Sequence, residues 1–269
     1  MPLAICATPI GNLDDVTLRV LEELRSADRV LCEDTRRTRI LLTRHGIHAR
    51  LESYHRHNEA ARTPRVIERL RAGERVALVS DAGLPGVNDP GARLIAAAVA
   101  AGVDVTVLPG ASAVETALVA SGLGADRYQF VGYLPRRENE LRALAASLGA
   151  WTGTVVAFES PRRLAMSLRM LADVQPARRA AVCRELTKRF EEVVRGSLEE
   201  LAARFAEATR GEITLVLGPI DVQPGERDDN AARAAVSDLV ASGASRKTAA
   251  EVVSRLTGVP RNALYRDSL

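Results

Sequence analysis

The residues best suited to chemistry lie in Val76–Gly91, VALVSDAGLPGVNDPG. A β-branched apolar run, Val76 to Val79, breaks at Ser80 and Asp81 into a loop holding Gly83, Pro85, Gly86, Pro90 and Gly91. Glycine lets a backbone approach a ligand closely, and proline fixes the chain around it. A plain strand-to-helix connection needs only about two residues, so a loop this long suits a ligand. Two more Gly/Pro loops, residues 8–12 and 109–113, also follow apolar runs, and none of the three offers a lysine to a phosphate. Such loops fit a ligand held by backbone groups and shape, one carrying a ribose and an amino acid rather than a triphosphate.

Other chemistries are disfavoured by what is missing. No G-x-G-x-x-G follows a strand, no Walker lysine loop occurs, and there is no G-x-S-x-G elbow. Dinucleotide binding, phosphoryl transfer from a triphosphate and serine hydrolysis are therefore not expected. His55 and His57 alternate, but no carboxylate–histidine set with metal-ligand spacing accompanies them, so they read as a solvent-facing pair and no metal is expected. Cys6, Cys32 and Cys183, an odd number beside apolar runs, read as reduced core thiols. No apolar run approaches the roughly 18 residues of a membrane span, and the start of the chain lacks a signal pattern, so a cytoplasmic location is expected. The 269 residues carry a net charge of +3, which permits an anionic partner. Arginines cluster at Arg36, Arg37, Arg39 and Arg44, at Arg136 and Arg137, at Arg162 and Arg163, and at Arg178 and Arg179. Guanidinium groups of this kind suit phosphate contacts.

The elements that must position these residues alternate from the start. Strands are expected at 3–7, 29–32, 49–54, 76–79 and 104–108. Helices lie between them, one of them capped by Asp14 or Asp15, and Ser112 is expected to cap the helix after residue 112. Repeated β-α-β alternation predicts a mainly parallel sheet with helices on both faces. After residues 121–126 the pattern changes. Strands are expected at 128–132, 154–158, 179–183, 188–196 and 213–217, with fewer helices, as in a mixed α+β domain. The fold class is thus α/β, with an N-terminal α/β domain (1–122), a C-terminal α+β domain (123–220), a polar linker (221–230) and a helical extension (231–269). The extension's three short helices resemble a helix-turn-helix. A cap packed on the body or on a second subunit is the equal alternative.

Eight segments in chain order resemble the tetrapyrrole methylase superfamily of S-adenosylmethionine (SAM) dependent enzymes. They are ATPIGNL (7–13), EDTRRT (33–38), SDAGLPGVNDPG (80–91), LPGASAV (108–114), VGYLP (131–135), FESPRR (158–163), CRELTK (183–188) and GEITLV (211–216). SDAG stands where precorrin methylases tend to read GDP, and this favours the branch that methylates a cytidine 2′-hydroxyl of 16S rRNA in the small ribosomal subunit. Methylation of a precorrin-type tetrapyrrole is the alternative, and a nucleic-acid-binding regulator with an inactive body is a third. The resemblance implies two α/β domains with SAM in the cleft between them, and a homodimer. Carried onto this chain, it places Pro9, Asp81, Ala82, Gly83, Val87, Ser112 and Ala113 against the cofactor. Phe158, Leu186, Glu212, Ile213 and Thr214 would close over the adenine. Candidates for a proton acceptor are Glu33, Asp34 and Glu159, and Arg36, Arg37, Arg162 and Arg163 are candidates for gripping RNA phosphate.

Overall fold

The first five strands are β1 (Leu3–Cys6), β2 (Arg29–Cys32), β3 (Leu51–Ser53), β4 (Val76–Val79) and β5 (Val105–Leu108). They pair in the order β3-β2-β4-β1-β5, all parallel. The structure, a computed structural model, describes residues 2–149, 151–220 and 229–266. It divides into two compact units, Met1–Ile220 and Asp221–Leu269. Every residue of β1 and β4 is buried, as a strand covered on both faces requires. Alternate side chains serve opposite faces. Ala4, Cys6, Ala77 and Val79 meet α1 (Leu18–Ser26) and α2 (Thr35–Arg44) through Val20, Leu24 and Leu42. Leu3, Ile5, Val76 and Leu78 meet α3 (Glu59–Arg71) and α4 (Ala92–Ala100) through Val66, Leu70 and Leu94.

The chain therefore leaves β1 for a helix on one face and leaves the adjacent β4 for a helix on the other. Open α/β sheets bind ligands where the winding reverses in this way, beyond the carboxyl ends of the strands.

The second sheet orders β6 (Tyr128–Tyr133), β7 (Thr154–Glu159), β10 (Ile213–Leu217), β8 (Arg179–Arg184) and β9 (Glu192–Ser197) as β6-β7-β10-β8-β9. Only β6 and β7 run parallel; the other neighbours are antiparallel. Helices α6 (Glu138–Leu148), α7 (Leu164–Val174) and α8 (Leu198–Arg204) cover one face with Leu141, Leu168 and Leu201. The other face receives α5 (Ala113–Ser121), whose Val114, Ala117 and Leu118 pack on Val156, Ala181 and Val216. A helix that follows a strand of the first sheet thus roofs the second. The second sheet is a mixed α+β layer, as expected from its sequence.

Several local expectations change. Asp14 and Asp15 do not cap α1; they form a 3-10 turn, Leu13–Asp15, capped by Asn12, and Thr17 accepts from Val20 N to cap α1. The strand expected at 188–196 begins only at Glu192, because Lys188–Glu191 form a turn closed by Glu191 N donating to Lys188 O. Ser112 occupies the first boundary position of α5 but caps no amide; its hydroxyl donates to the Glu115 carboxylate instead. All three cysteines are buried and free. His57 is exposed, while His55 is half-buried and hydrogen-bonded to Asn58. No described helix is long and apolar enough to cross a membrane.

In the second unit, α9 (Asp229–Ala241), α10 (Arg246–Thr257) and α11 (Arg261–Arg266) share a small core of Val236, Ala249, Ala250, Val253, Val259 and Leu264. Ser245 caps α10 through Thr248 N, and Gly258 ends it in a left-handed conformation. The linker expected at 221–230 falls outside the described residues up to 228, and its last two positions already belong to α9.

Candidate functional site

Because β1, β4 and β5 are parallel neighbours, their following loops emerge on one edge. Thr8 N donates to Gly83 O at 2.8 Å and Gly83 N returns the bond at 3.0 Å. The Thr8 hydroxyl donates to Ser80 O at 3.1 Å, and the Ser80 hydroxyl donates to Gly83 O at 3.1 Å. Left-handed φ values at Gly83 (75°), Gly86 (88°) and Asn88 (60°) let the loop fold back on itself before α4. Gly91, at φ 130°, could not carry a Cβ without meeting Leu78 Cδ2 at 2.8 Å.

The opposite wall comes from the second sheet. The turn after β8 holds Glu185 and Thr187 at φ 52° and 64°, values that non-glycine residues rarely adopt. Strain of this kind persists where surroundings over-determine the backbone. Here Glu185 Oε1 accepts from Glu212 N at 2.9 Å and from Lys188 Nζ at 3.0 Å, and Asn12 N donates to Thr187 Oγ1 at 3.1 Å. Those bonds and the lysine hold the Glu185 carboxyl below its ordinary pKa. The result is Leu186 held in the core that Ile10 and α5 share with the second sheet.

These loops enclose a cavity of about 700 Å³, within the range of small-molecule sites. Of the expected cofactor residues, Asp81, Ala82, Gly83, Val87, Ser112, Ala113, Phe158, Leu186, Glu212, Ile213 and Thr214 line it. Pro9 is buried behind the wall, and its neighbour Ile10 lines the cavity instead. A Cβ on Gly83 would project to 3.8 Å from both Ala111 O and Ile10 Cγ2, so the missing side chain leaves room between two loops.

The carboxylate candidates separate. Glu33 lines the cavity. Asp34 does not: it caps α2, and its carboxylate is forked by Arg36 Nε and Nη2 at 3.1 and 2.7 Å. The Arg36 side-chain and backbone hydrogen bonds hold its pKa down at about 2. Glu159 lies on the cavity's border, but its carboxylate is fully buried. It accepts from Ser160 N at 2.6 Å and from the Ser167 hydroxyl, and pairs with Arg163 Nη2 at 3.3 Å. That carboxylate organises the turn between β7 and α7.

Arginine placement also differs from expectation. Arg163 is turned inward: Nη1 donates to Leu134 O at 3.3 Å, and Nη2 donates to Leu134 O and Pro135 O. With Glu159 as counter-ion it clamps the 134–135 segment. Arg37 lines the cavity and reaches Asp81 Oδ2 at 3.5 Å, while Asp81 Oδ1 accepts from Asp34 N at 3.0 Å. Arg36 and Arg162 are exposed.

Residue-level reading missed Asp89, Glu115, Tyr128, Phe130 and Tyr133, all on the wall. Burial, then repulsion from Glu33 and Asp81, raises Asp89 to about 6. Burial opposes ionisation of Glu115, but hydrogen bonds from the Ser112 and Tyr128 hydroxyls outweigh it and lower its pKa. The sequence signals were present. Asp89 lies inside the glycine-rich stretch, and with aromatics at 3% of the chain, three within residues 128–133 mark a special strand. Among the described residues, no group of three or more His, Cys, Asp or Glu side chains could hold a metal ion.

The comparisons with known proteins agree with this geometry. The family model for tetrapyrrole (corrin/porphyrin) methylases matches residues 2–202. Ribosomal RNA small subunit methyltransferase I of Mesorhizobium japonicum is 45% identical over 98% of this chain and 90% of its own length. The protein of that name from Bacillus subtilis is 36% identical over 98% and 92%. In fold, the chain is similar to uroporphyrin-III C-methyltransferase from Thermus thermophilus, solved in complex with S-adenyl homocysteine. The TM-score is 0.56 at 21% identity, covering 80% of this chain and 96% of that one. The chain belongs to the tetrapyrrole methylase family and, within it, groups with the ribosomal RNA small subunit methyltransferases I.

Proposed function

We propose that this chain is a SAM-dependent methyltransferase that modifies a cytidine 2′-hydroxyl of 16S rRNA in the small ribosomal subunit. The observation that carries the reading is similarity along 98% of the chain to enzymes named for that rRNA. The cavity suits the donor: loops rich in backbone groups on one side, Phe158, Leu186 and Ile213 on the other. In this reading Asp81, Ala82, Gly83 and Val87 hold the methionine end, with Ser112 and Ala113 beside them and Ile10 in the place expected of Pro9. Phe158, Leu186 and residues 212–214 pack on the adenine. SAM supplies an activated methyl group on a sulfonium. The protein supplies attack geometry, the larger share of rate for a displacement of this kind. Arg36, Arg37 and Arg162 are the phosphate contacts; Arg163 is assigned to structure. A homodimer in the cytoplasm, where ribosomes are assembled, completes the proposal.

Purified protein incubated with labelled SAM and unmodified 30S subunits should label 16S rRNA, with 2′-O-methylcytidine recovered on nuclease digestion. Binding should weaken steeply with salt, and Arg36→Ala and Arg162→Ala should each lower the salt slope by about 1. Transfer to a precorrin but not to 30S subunits would establish the tetrapyrrole alternative. SAM binding without transfer to any RNA would point to a regulator.

A further inference from the structure

One side of the cavity is built from both sheets. Arg56 Nη2 donates to Asn88 O at 2.7 Å, fixing the loop after β4 where it reaches the second sheet. There the Asn88 side chain packs on Gly132, so that a Cβ at Gly132 would lie 3.1 Å from Asn88 Oδ1. Gly132, at φ 72°, sits where the register of β6 on β7 shifts between Phe130 and Tyr133. Bulges of this kind re-aim a side chain. Tyr133 is accordingly 63% exposed on the cavity wall, while its ring meets Phe158 edge-on at 5.5 Å. Partial burial, then the charges of Glu212, Asp89 and Glu159, raise the Tyr133 hydroxyl, which places Asp89 within its electrostatic reach. An exposed aromatic face beside a half-buried carboxylate is unaccounted for by the donor.

We propose that Tyr133 and Asp89 form the acceptor-nucleoside subsite, with the unstacked target base on the Tyr133 ring and the ribose 2′-hydroxyl at the Asp89 carboxylate, which takes its proton. The subsite rests on the SAM-dependent RNA methylation reading. The hydroxyl oxygen forms a bond to the methyl carbon, and the carbon–sulfur bond breaks with its electron pair passing to sulfur. The sulfonium becomes a neutral thioether, and the hydroxyl proton goes to Asp89. Single-stranded bases stack on aromatic rings in this manner. Of the other carboxylates nearby, Asp34 is committed to Arg36, Glu159 to Ser167 and Arg163, Glu115 to Ser112 and Tyr128, Asp81 to Asp34 N and Arg37, and Glu212 to Lys188, while Glu33 lines the cavity and is told apart from Asp89 by its own variant below. The groups facing Asp89 are Glu33 and Asp81, which oppose its ionisation, and Ser80 and Arg56, which favour it; with burial the balance stands at about 6. A base poised there is ionised at neutral pH and still accepts a proton readily.

The test is methyl transfer to unmodified 30S subunits across pH 5–8, with SAM binding followed by calorimetry. Wild-type kcat should rise through about pH 6 and level off. Asp89→Asn should lower kcat about 100-fold or more and remove the acid limb, while SAM affinity stays within about threefold. Glu33→Gln should keep the limb and move it to lower pH, since one repelling charge is gone. Tyr133→Ala should raise KM for 30S subunits about tenfold, one stacked base, with Tyr133→Phe near wild type. Asp89→Asn with a wild-type pH profile, or with SAM binding abolished, overturns the subsite. So does a limb that disappears in Glu33→Gln alone, or an unchanged KM in Tyr133→Ala. Each of those leaves RNA methylation by the wild type standing, whereas a wild type inactive on 30S subunits removes the underlying reading as well.

Discussion

Glu159→Ala separates a structural carboxylate from a catalytic one. The Glu159 carboxylate is fully buried and holds Ser160 N, the Ser167 hydroxyl and Arg163, whose own side chain is 21% exposed. Removing one member of a buried, hydrogen-bonded ion pair costs about 3–5 kcal/mol, chiefly from the charge left behind. Arg163 keeps the Leu134 and Pro135 carbonyls and some access to water, so the expected loss is about 2–4 kcal/mol. For a unit of this size, at about 2–4 °C per kcal/mol, that corresponds to a fall in Tm of about 4–16 °C. Urea unfolding followed by circular dichroism should show a lower midpoint with the slope unchanged, and Glu159→Gln should fall between the two. Residual methyl transfer by the folded variant should stay well within the 100-fold loss expected of a missing base. Stability within about 0.5 kcal/mol of wild type, together with a 100-fold fall in kcat, would show Glu159 acting on the substrate and refute the structural assignment.

Gly91→Ala should cost about 2–4 kcal/mol, from a φ of 130° and a Cβ 2.8 Å from Leu78 Cδ2. It should also weaken SAM binding by loosening the loop, and a thermal-shift assay showing no change would contradict the steric reasoning. Arg178→Met should cost about 3 kcal/mol. The buried guanidinium donates to Gly218 O, Leu148 O, Gly153 O and Gln175 Oε1, and burial among neutral acceptors lowers its pKa to about 10. An unfolding midpoint equal to wild type would show that those carbonyls find other donors.

Strands β1, β4 and β10 were legible because each is a short, mostly apolar run between Gly, Pro or polar breaks, and a buried strand needs little else, whereas β3 and β9 carry polar residues and their starts were misplaced. Val76–Val79 is so plain a case that its central place in the sheet was anticipated, and the loop after it lines the cavity. Helix caps were less legible. Asp14, Asp15 and Thr17 are all good capping types, and the choice fell to Thr17 because Asp14 is drawn to Arg44. The crossing of α5 to roof the second sheet could not be read from residues 113–121, whose apolar side chains fit either layer equally well.

The sequence by itself determined the alternation of elements, the glycine and proline loops beyond β1, β4 and β5, and the family these motifs mark. Those are properties of short segments, set by backbone sterics and the spacing of apolar residues. Tertiary structure alone decided what each charged group is for. Arg163 and Arg162 are adjacent and alike, yet one is sealed onto Glu159 and two carbonyls while the other faces solvent. Asp34 and Asp89 are the same residue type, held near 2 and near 6 by an arginine fork in one case and by burial beside Glu33 and Asp81 in the other. Charge is a property of the residue, but its energy depends on neighbours brought in from distant parts of the chain.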